Sequence, residues 1–503
     1  MDTDKIVLPQ KRVEFVANSS TSSGRRAGLR LALLALCQFL VALDYNIVYV
    51  ALPDLGRALG FNAQSLQWVV TAYAVGFGGF LLFGGRAADR LGARRLLILG
   101  LVIFGVSSLV GGFATGQGTL IAARAAQGIG AALLTPASLS LINTGFAEGA
   151  ERNRALAVWG GSGSGGLAAG AVLGGLLTNA WGWQWVLFVM VPISLGLAIA
   201  APSALPTDAR GRAGRGGFDV LGAVIATAGS SLVVFGLVSG PDAGWASPRV
   251  VGALLLGVLL LGTFLLVERR TADPLVPPRL WRNRSLATAM LVILLFQSSL
   301  GGAYYLFTTY VQDVLHYSAL AAGLAFLPLT VISATSSFRL TAPLIGRWGI
   351  RATLFIGLLV NGIGMIVLAI GMPTDGSFWT VLPGLVVWGV GGGITFPAMF
   401  AAAASGVDGG EQGTASALAT TAQQIGGAVG LAALVAIANA GLGVGPEPTP
   451  APSTVVNGLH AALWTAGAAT LLGALLVLAL KRPAAPTAQR DNTAASNSTE
   501  AVQ

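Results

Sequence analysis

Two charged residues stand where charge is expensive. Asp44 lies deep inside a long apolar run, residues 30–52, and it is the one carboxylate in the chain set well within such a run. Arg124 lies inside another run, residues 119–142. An arginine in hydrocarbon costs roughly 2.5–3.5 kcal/mol unless it is paired or hydrated. A carboxylate beside arginine keeps its charge, whereas an unpaired one in apolar surroundings takes up a proton more readily. Such a pair can serve as a proton-operated switch. The plainer alternatives are a static structural pair and an arginine that snorkels to the surface. A second cluster is the loop from Gly85 to Arg95, which holds Asp89, Arg90, Gly92 and Arg94. Its glycines allow a tight turn and close helix approach. Asp89 can face a helix N-terminus or pair with Arg90 and Arg94, and so hold one conformation of a two-state protein. Composition alone also fits a basic loop with a capping aspartate. A fainter echo of this loop runs from Gly346 to Arg351. Gly166, Gly170 and Gly174, followed by Gly175, form a ladder at four-residue spacing suited to close helix packing.

The elements that must position these groups are membrane helices. The chain has 503 residues, of which 54% are hydrophobic and only 10% charged, far from the quarter or so of charged residues in soluble domains. Apolar runs of helical length recur along it. Fourteen spans are expected, centred on residues 30–52, 66–84, 96–115, 119–142, 155–178, 185–204, 219–240, 249–268, 286–310, 318–340, 352–372, 378–404, 413–438 and 458–480. The fold class is therefore an all-α polytopic membrane protein. The net charge of +9 resides in short loops, so it reads as a topology signal and not as a nucleic-acid surface. Of the 29 lysines and arginines, 26 fall on one side, with both termini; the other side holds Arg57 and Arg249. The positive-inside rule then sets both termini in the cytoplasm. At 1.5 Å per residue, Asp44 and Arg124 come out at similar depths, each about 7–9 Å from the outer edge of a ~30 Å core.

Other chemistries are poorly served. The single Cys37 excludes a disulfide framework, and His316 and His460 show no metal-ligand spacing. No nucleotide-binding Gly-x-x-x-x-Gly-Lys-Ser/Thr loop is present, and no loop is long enough for a soluble catalytic domain. The first 28 residues are polar and basic, without the pattern of a cleaved leader. The expectation is therefore no enzyme, no cofactor and no metal.

These motifs carry a resemblance. Gly85-Arg86-Ala87-Ala88-Asp89-Arg90-Leu91-Gly92-Ala93-Arg94-Arg95, the segment Leu120 to Ala132 with Arg124-x-x-Gln127-Gly128, and Asp44 to Ala51-Leu52-Pro53 resemble motifs of the major facilitator superfamily. Over Leu31 to Leu480 the chain looks like its fourteen-helix drug:proton antiporters. Departures are Asn46, Tyr49, Gln184 and Ala171, the last where the antiporters usually carry proline. The resemblance implies two six-helix bundles with two inserted helices: a tail at 1–28, a bundle at 29–204, a linker with two helices at 205–285, a second bundle at 286–480 and a disordered tail at 481–503. It implies that Asp44 and Arg124 couple proton movement to transport, and that Gly85, Asp89, Arg90, Gly92 and Arg94 form a conformational latch. Candidate cargo contacts are Tyr45, Tyr49, Trp159, Gln297, Tyr304, Tyr305, Gln423 and Gln424. Implied partners are a small drug or antibiotic, protons and the lipid bilayer, for a monomer in the bacterial cytoplasmic membrane driven by the proton gradient. Its Gly/Ala/Arg-rich composition with three lysines suits an actinomycete, where such exporters give resistance. The competing readings are a uniporter or metabolite symporter of the same fold, supported by Ala171, and, from other classes, a membrane-embedded enzyme or a sensor.

Overall fold

A computed structural model describes residues 11–61, 66, 68–208, 220–268, 271, 276, 279–280, 283–317, 319–440 and 452–478. The expected disordered tail at 481–503 lies outside the described residues, as do residues 441–451. Every long element is a helix, because only intra-segment hydrogen bonding satisfies the backbone in hydrocarbon. They are α1 Lys11–Leu59, α2 Trp68–Leu91, α3 Ala93–Gly112, α4 Gln117–Gly145, α5 Ala150–Trp181, α6 Met190–Ala204, α7 Val220–Ala243 and α8 Pro248–Glu268. The second set is α9 Arg284–Thr309, α10 Leu327–Ser336, α11 Ala342–Ile370, α12 Phe378–Ala404, α13 Gln412–Asn439 and α14 Pro452–Val477. Among the described residues, twelve stretches are long and apolar enough to span a membrane. One of them, Ala321–Ile370, holds two expected spans, and the shorter apolar helix Leu221–Leu237 corresponds to another. Among the described residues, each of the fourteen expected spans is thus largely helical.

The echo of the basic loop, Gly346 to Arg351, lies between two expected spans, and the helix breaks there. The break falls within α11 at Gly349, where φ is +78°. Gly92, at φ +104°, makes the matching break between α2 and α3. An L side chain rarely adopts either angle, which is why glycine holds both positions. The helix α5 runs unbroken through residue 171, as expected without a proline.

The helices form two halves with the same pairing order. In the first, α1 packs on α5, α4 on α2 and α3, and α3 on α6. In the second, α9 packs on α13, α12 on α10 and α11, and α11 on α14. Close approaches depend on small residues, since lipid offers no hydrophobic drive between helices. Gly166 and Gly170 sit directly on the α1 backbone at Phe39 and Leu43, where any side chain would collide. Gly174 is buried and Gly175 half-buried further along the same ladder. The pair α7 and α8 lies beside the halves. Helix α7 packs on both α2 and α13, with the Ser230 hydroxyl donating to the Gly79 carbonyl at 3.1 Å. Helix α8 presents Leu255, Val258, Leu259 and Leu266 outward.

Candidate functional site: a buried ion pair and a latch between the halves

Asp44 of α1 is fully buried, and Arg124 of α4 is 2% exposed. Arg124 therefore does not snorkel. Its Nη1 donates to both Asp44 carboxylate oxygens, at 3.0 and 2.9 Å, and to Gln127 Oε1 at 2.6 Å. Its Nε donates to the Val69 carbonyl at 3.1 Å, and its guanidinium lies 4.4 Å from the centre of the Tyr73 ring. Gln127 Nε2 donates to Asp44 Oδ1 and to Ser108 Oγ, both at 2.9 Å. The local sequence explains the arrangement. Arg124 and Gln127 are one turn apart on one face of α4, and Gly128 brings α4 against the Tyr73 carbonyl of α2. One guanidinium nitrogen makes both carboxylate contacts, so the pair lacks the two-nitrogen fork of a bidentate bridge. The arrangement can hold one negative charge in a dry core, or release the arginine if that charge is neutralised.

Asp89 sits near the end of α2 and joins the halves. Its Oδ1 accepts from the Gly413 amide, and its Oδ2 from the Thr414 amide and hydroxyl, all at 2.8 Å. These donors open α13, where unpaired N–H groups and the helix dipole favour an anion. A Cβ on Gly85 would come within 2.6 Å of the Gly413 carbonyl, so this seam closes only over glycine. The first turn of α13 is itself pinned: buried Glu411 accepts from Arg279 Nε at 2.7 Å, and Asp408 lies 3.1 Å from Arg279 Nη1.

Arg94 serves elsewhere than at Asp89. Its amide donates to Asp208 Oδ1 at 3.1 Å and its Nη2 to the Pro202 carbonyl at 3.0 Å. The Arg95 amide donates to Asp208 Oδ2 at 3.2 Å. Asp208 thus caps α3 from the loop after α6, its carboxylate filling the notch at Gly92. Sequence reasoning missed Asp208, an isolated acid whose partners are 113 and 114 residues away.

Residues 34–431 match the family described as Major Facilitator Superfamily.

The chain belongs to the major facilitator superfamily.

It is 40% identical over 474 residues to the puromycin resistance protein pur8 of Streptomyces alboniger, covering 93% of this chain and 92% of that one. It is 37% identical to the cephamycin export protein CmcT of Amycolatopsis lactamdurans, covering 84% and 87%. The fold is similar to the crystal structure of the human organic anion transporter MFSD10, with a TM-score of 0.64 at 16% identity over 90% of this chain and 99% of that one. A major facilitator protein is a transporter and not an enzyme, and this one is a multi-pass membrane transporter.

In this major facilitator structure, the cargo candidates are scattered. Tyr45 and Tyr49 are 46% and 44% exposed with rings 5.7 Å apart, and Tyr305 is 43% exposed. Trp159 is 1% exposed, donates to Ser138 Oγ at 3.3 Å and packs on Phe396 and Phe400 of the other half. It is a piece of the seam. Tyr304 is wedged between Phe326 and Trp388, and Gln297 is 9% exposed. Gln423 is half-buried, and Gln424 lines a small cleft with Gly78 and Leu82 of α2, Ser230 of α7 and Leu261 of α8. The two halves touch through α2 and α13 at the basic loops, and along α5 and α10. There Ser337 Oγ donates to the Ala157 carbonyl at 2.9 Å, Ser164 and Ser333 lie 3.3 Å apart, and Phe338 fills the notch at Gly161.

Proposed function

We propose that the protein exports a drug or antibiotic across a bacterial cytoplasmic membrane in exchange for protons, giving resistance, as a monomer with both termini in the cytoplasm. The observation that carries the proton part is the fully buried Asp44 carboxylate, held by one nitrogen of Arg124 and by Gln127. The cargo class is supported by similarity to proteins named for puromycin resistance and cephamycin export.

In this reading the basic end is cytoplasmic, and the structure is the outward-facing state. Asp44 is charged and paired. A proton from outside neutralises it, and the loss of the ion pair frees Arg124. Asp89 leaves the α13 N-terminus as the cytoplasmic seam opens, cargo enters and the proton departs inward. Each charge carried across 100 mV supplies about 2.3 kcal/mol. Gly85, Asp89, Gly92 and Arg94, with Arg90, serve the latch. The functional units are the bundles at 29–204 and 286–480 joined through 205–285. Cargo contacts the tyrosines Tyr45, Tyr49 and Tyr305.

Reconstituted vesicles with an imposed pH gradient test this reading. Asp44→Asn is expected to lose gradient-driven export while retaining cargo binding, since the amide mimics the protonated acid but releases no proton. Undiminished gradient-driven export by this variant would return Asp44 to a structural role. Ala171 favours a uniporter or metabolite symporter of the same fold; a uniporter would move cargo equally well with the gradient collapsed, and a proton symporter would carry cargo in the same direction as the protons. A susceptibility panel in an efflux-deficient host identifies the cargo.

A further inference from the structure

Helix α8 ends on a buried acid, Glu268, whose Oε2 accepts from the Val276 amide at 3.2 Å. Val276 and Leu280 are themselves buried in the apolar core. Between them, Arg279 meets the turn that precedes α13. Its Nε donates to Glu411 Oε1 at 2.7 Å, and its Nη1 lies 3.1 Å from Asp408 Oδ2. Further along, Asn283 caps α9, and its Nδ2 donates to the Gly406 carbonyl at 3.4 Å. Glu268, Val276, Arg279 and Asn283 thus tie the end of the inserted pair to the connection between α12 and α13.

That connection serves the Asp89 contact. Glu411 is the residue before α13, and the Gly413 and Thr414 amides just beyond it receive Asp89. Glu411 is buried. A second carboxylate at one helix N-terminus repels the first, and more strongly where water is excluded. Asp89 stays docked only if cations offset Glu411. Arg279 does so by direct contact. Arg86, buried on α2 one turn before Asp89, interacts electrostatically with Asp89, Glu268 and Glu411 together. An ion pair between two exposed groups is worth little. Here the acid is buried, so removing its partner leaves an uncompensated charge beside the docking site.

We propose that Arg279, held in place by Glu268 through the Val276 amide, is a positioning residue of the cytoplasmic latch. By neutralising Glu411 it keeps the α13 N-terminus able to receive Asp89. The end of the inserted pair therefore biases the transporter toward the state closed at its basic end. This rests on the reading of Asp89 as a latch.

The test puts a reporter on the opposite flank. Ala157 is fully buried where α5 meets the end of α10, and its carbonyl accepts from Ser337. In a Cys37→Ala background, Ala157→Cys supplies a thiol that N-ethylmaleimide reaches when the halves part, not when one loop beside α13 loosens. Alkylation is followed on the purified full chain at low salt, where the pair is least screened. Arg279→Ala is expected to raise the rate about fivefold. Adding Glu411→Gln removes the anion as well and should return the rate most of the way. A purely mechanical tether would not be restored by a second deletion. In an Asp89→Asn background, where the rate is already raised, Arg279→Ala should add little. An unchanged rate for Arg279→Ala while Asp89→Asn raises it overturns the inference and leaves the latch standing. So does a raised rate that Glu411→Gln fails to lower. An unchanged rate for Asp89→Asn removes the latch, and the inference with it. Should Arg279→Ala not accumulate, Arg279→Gln carries the same expectations.

Discussion

The two halves share a skeleton and differ in what fills it. Gly128 and Gly130 of α4 lie against Tyr73 and Phe104, while Gly389 and Gly391 of α12 lie against Leu329 and Asn361. Gly170 lies against the Leu43 carbonyl and Gly430 against that of Ser298. Matching these approaches sets Arg124 on Leu385, Gln127 on Trp388, Pro136 on Pro397 and Asp44 on Ser299. One half thus keeps an ion pair where the other keeps Leu385, Trp388 and a Ser299 hydroxyl that donates to the Ala466 carbonyl at 2.8 Å. The shared crossing depends on glycine, not on charge. The ion pair is an addition that the shared skeleton does not require.

The largest effect should come from moving a charge across this comparison. Leu385→Arg buries a guanidinium without an acid, at a cost of roughly 2.5–3.5 kcal/mol. It is expected to abolish accumulation in the membrane, and adding Ser299→Asp should restore part of it. Quantitative blotting of membrane fractions reads both. No rescue would mean that the halves match in backbone only.

Arg124→Leu approaches the same contrast from the other half. It leaves Asp44 buried and unpaired, with an expected loss of about 3–5 kcal/mol. Arg124→Lys should be milder, because the Asp44 contact uses one nitrogen and only the bonds to Val69 and the ring face of Tyr73 are lost. Melting curves in detergent rank the two. Equal damage would show that the whole guanidinium is needed.

Between the halves, Asp89→Asn leaves one amide oxygen to accept and turns an NH₂ group on the remaining donors, so at least one of the three charge-assisted hydrogen bonds is lost and the rest weaken, at about 1.5–3 kcal/mol in the closed state. Normal abundance with severalfold slower transport is the expected outcome. A parallel drop in both would make the contact purely structural. The smallest effect belongs to Asp208→Ala, which removes the cap from α3 and should cost about 1 kcal/mol, read as a small fall in melting temperature with transport retained.

Much of this was legible in the sequence. Asp44 and Arg124 stood out because lipid leaves them no cheap alternative to meeting, and counting residues placed them at one depth. The spans followed from apolar length, and Asp89 from its glycine-flanked spacing. What stayed hidden depends on contacts between distant segments. Asp208 has no local signal to announce that it caps α3. Trp159 read as a cargo contact, because no local pattern separates an aromatic that seals a seam from one that faces a cavity.

The inserted pair α7 and α8 treats the two flanks of the molecule unequally. Helix α7 lies along the junction of α2 and α13, so on that flank another protein layer stands between the junction and the hydrocarbon. No inserted helix covers the junction of α5 and α10 among the described residues. A greasy molecule dissolved in the membrane therefore meets two unlike flanks, one boarded over and one bare.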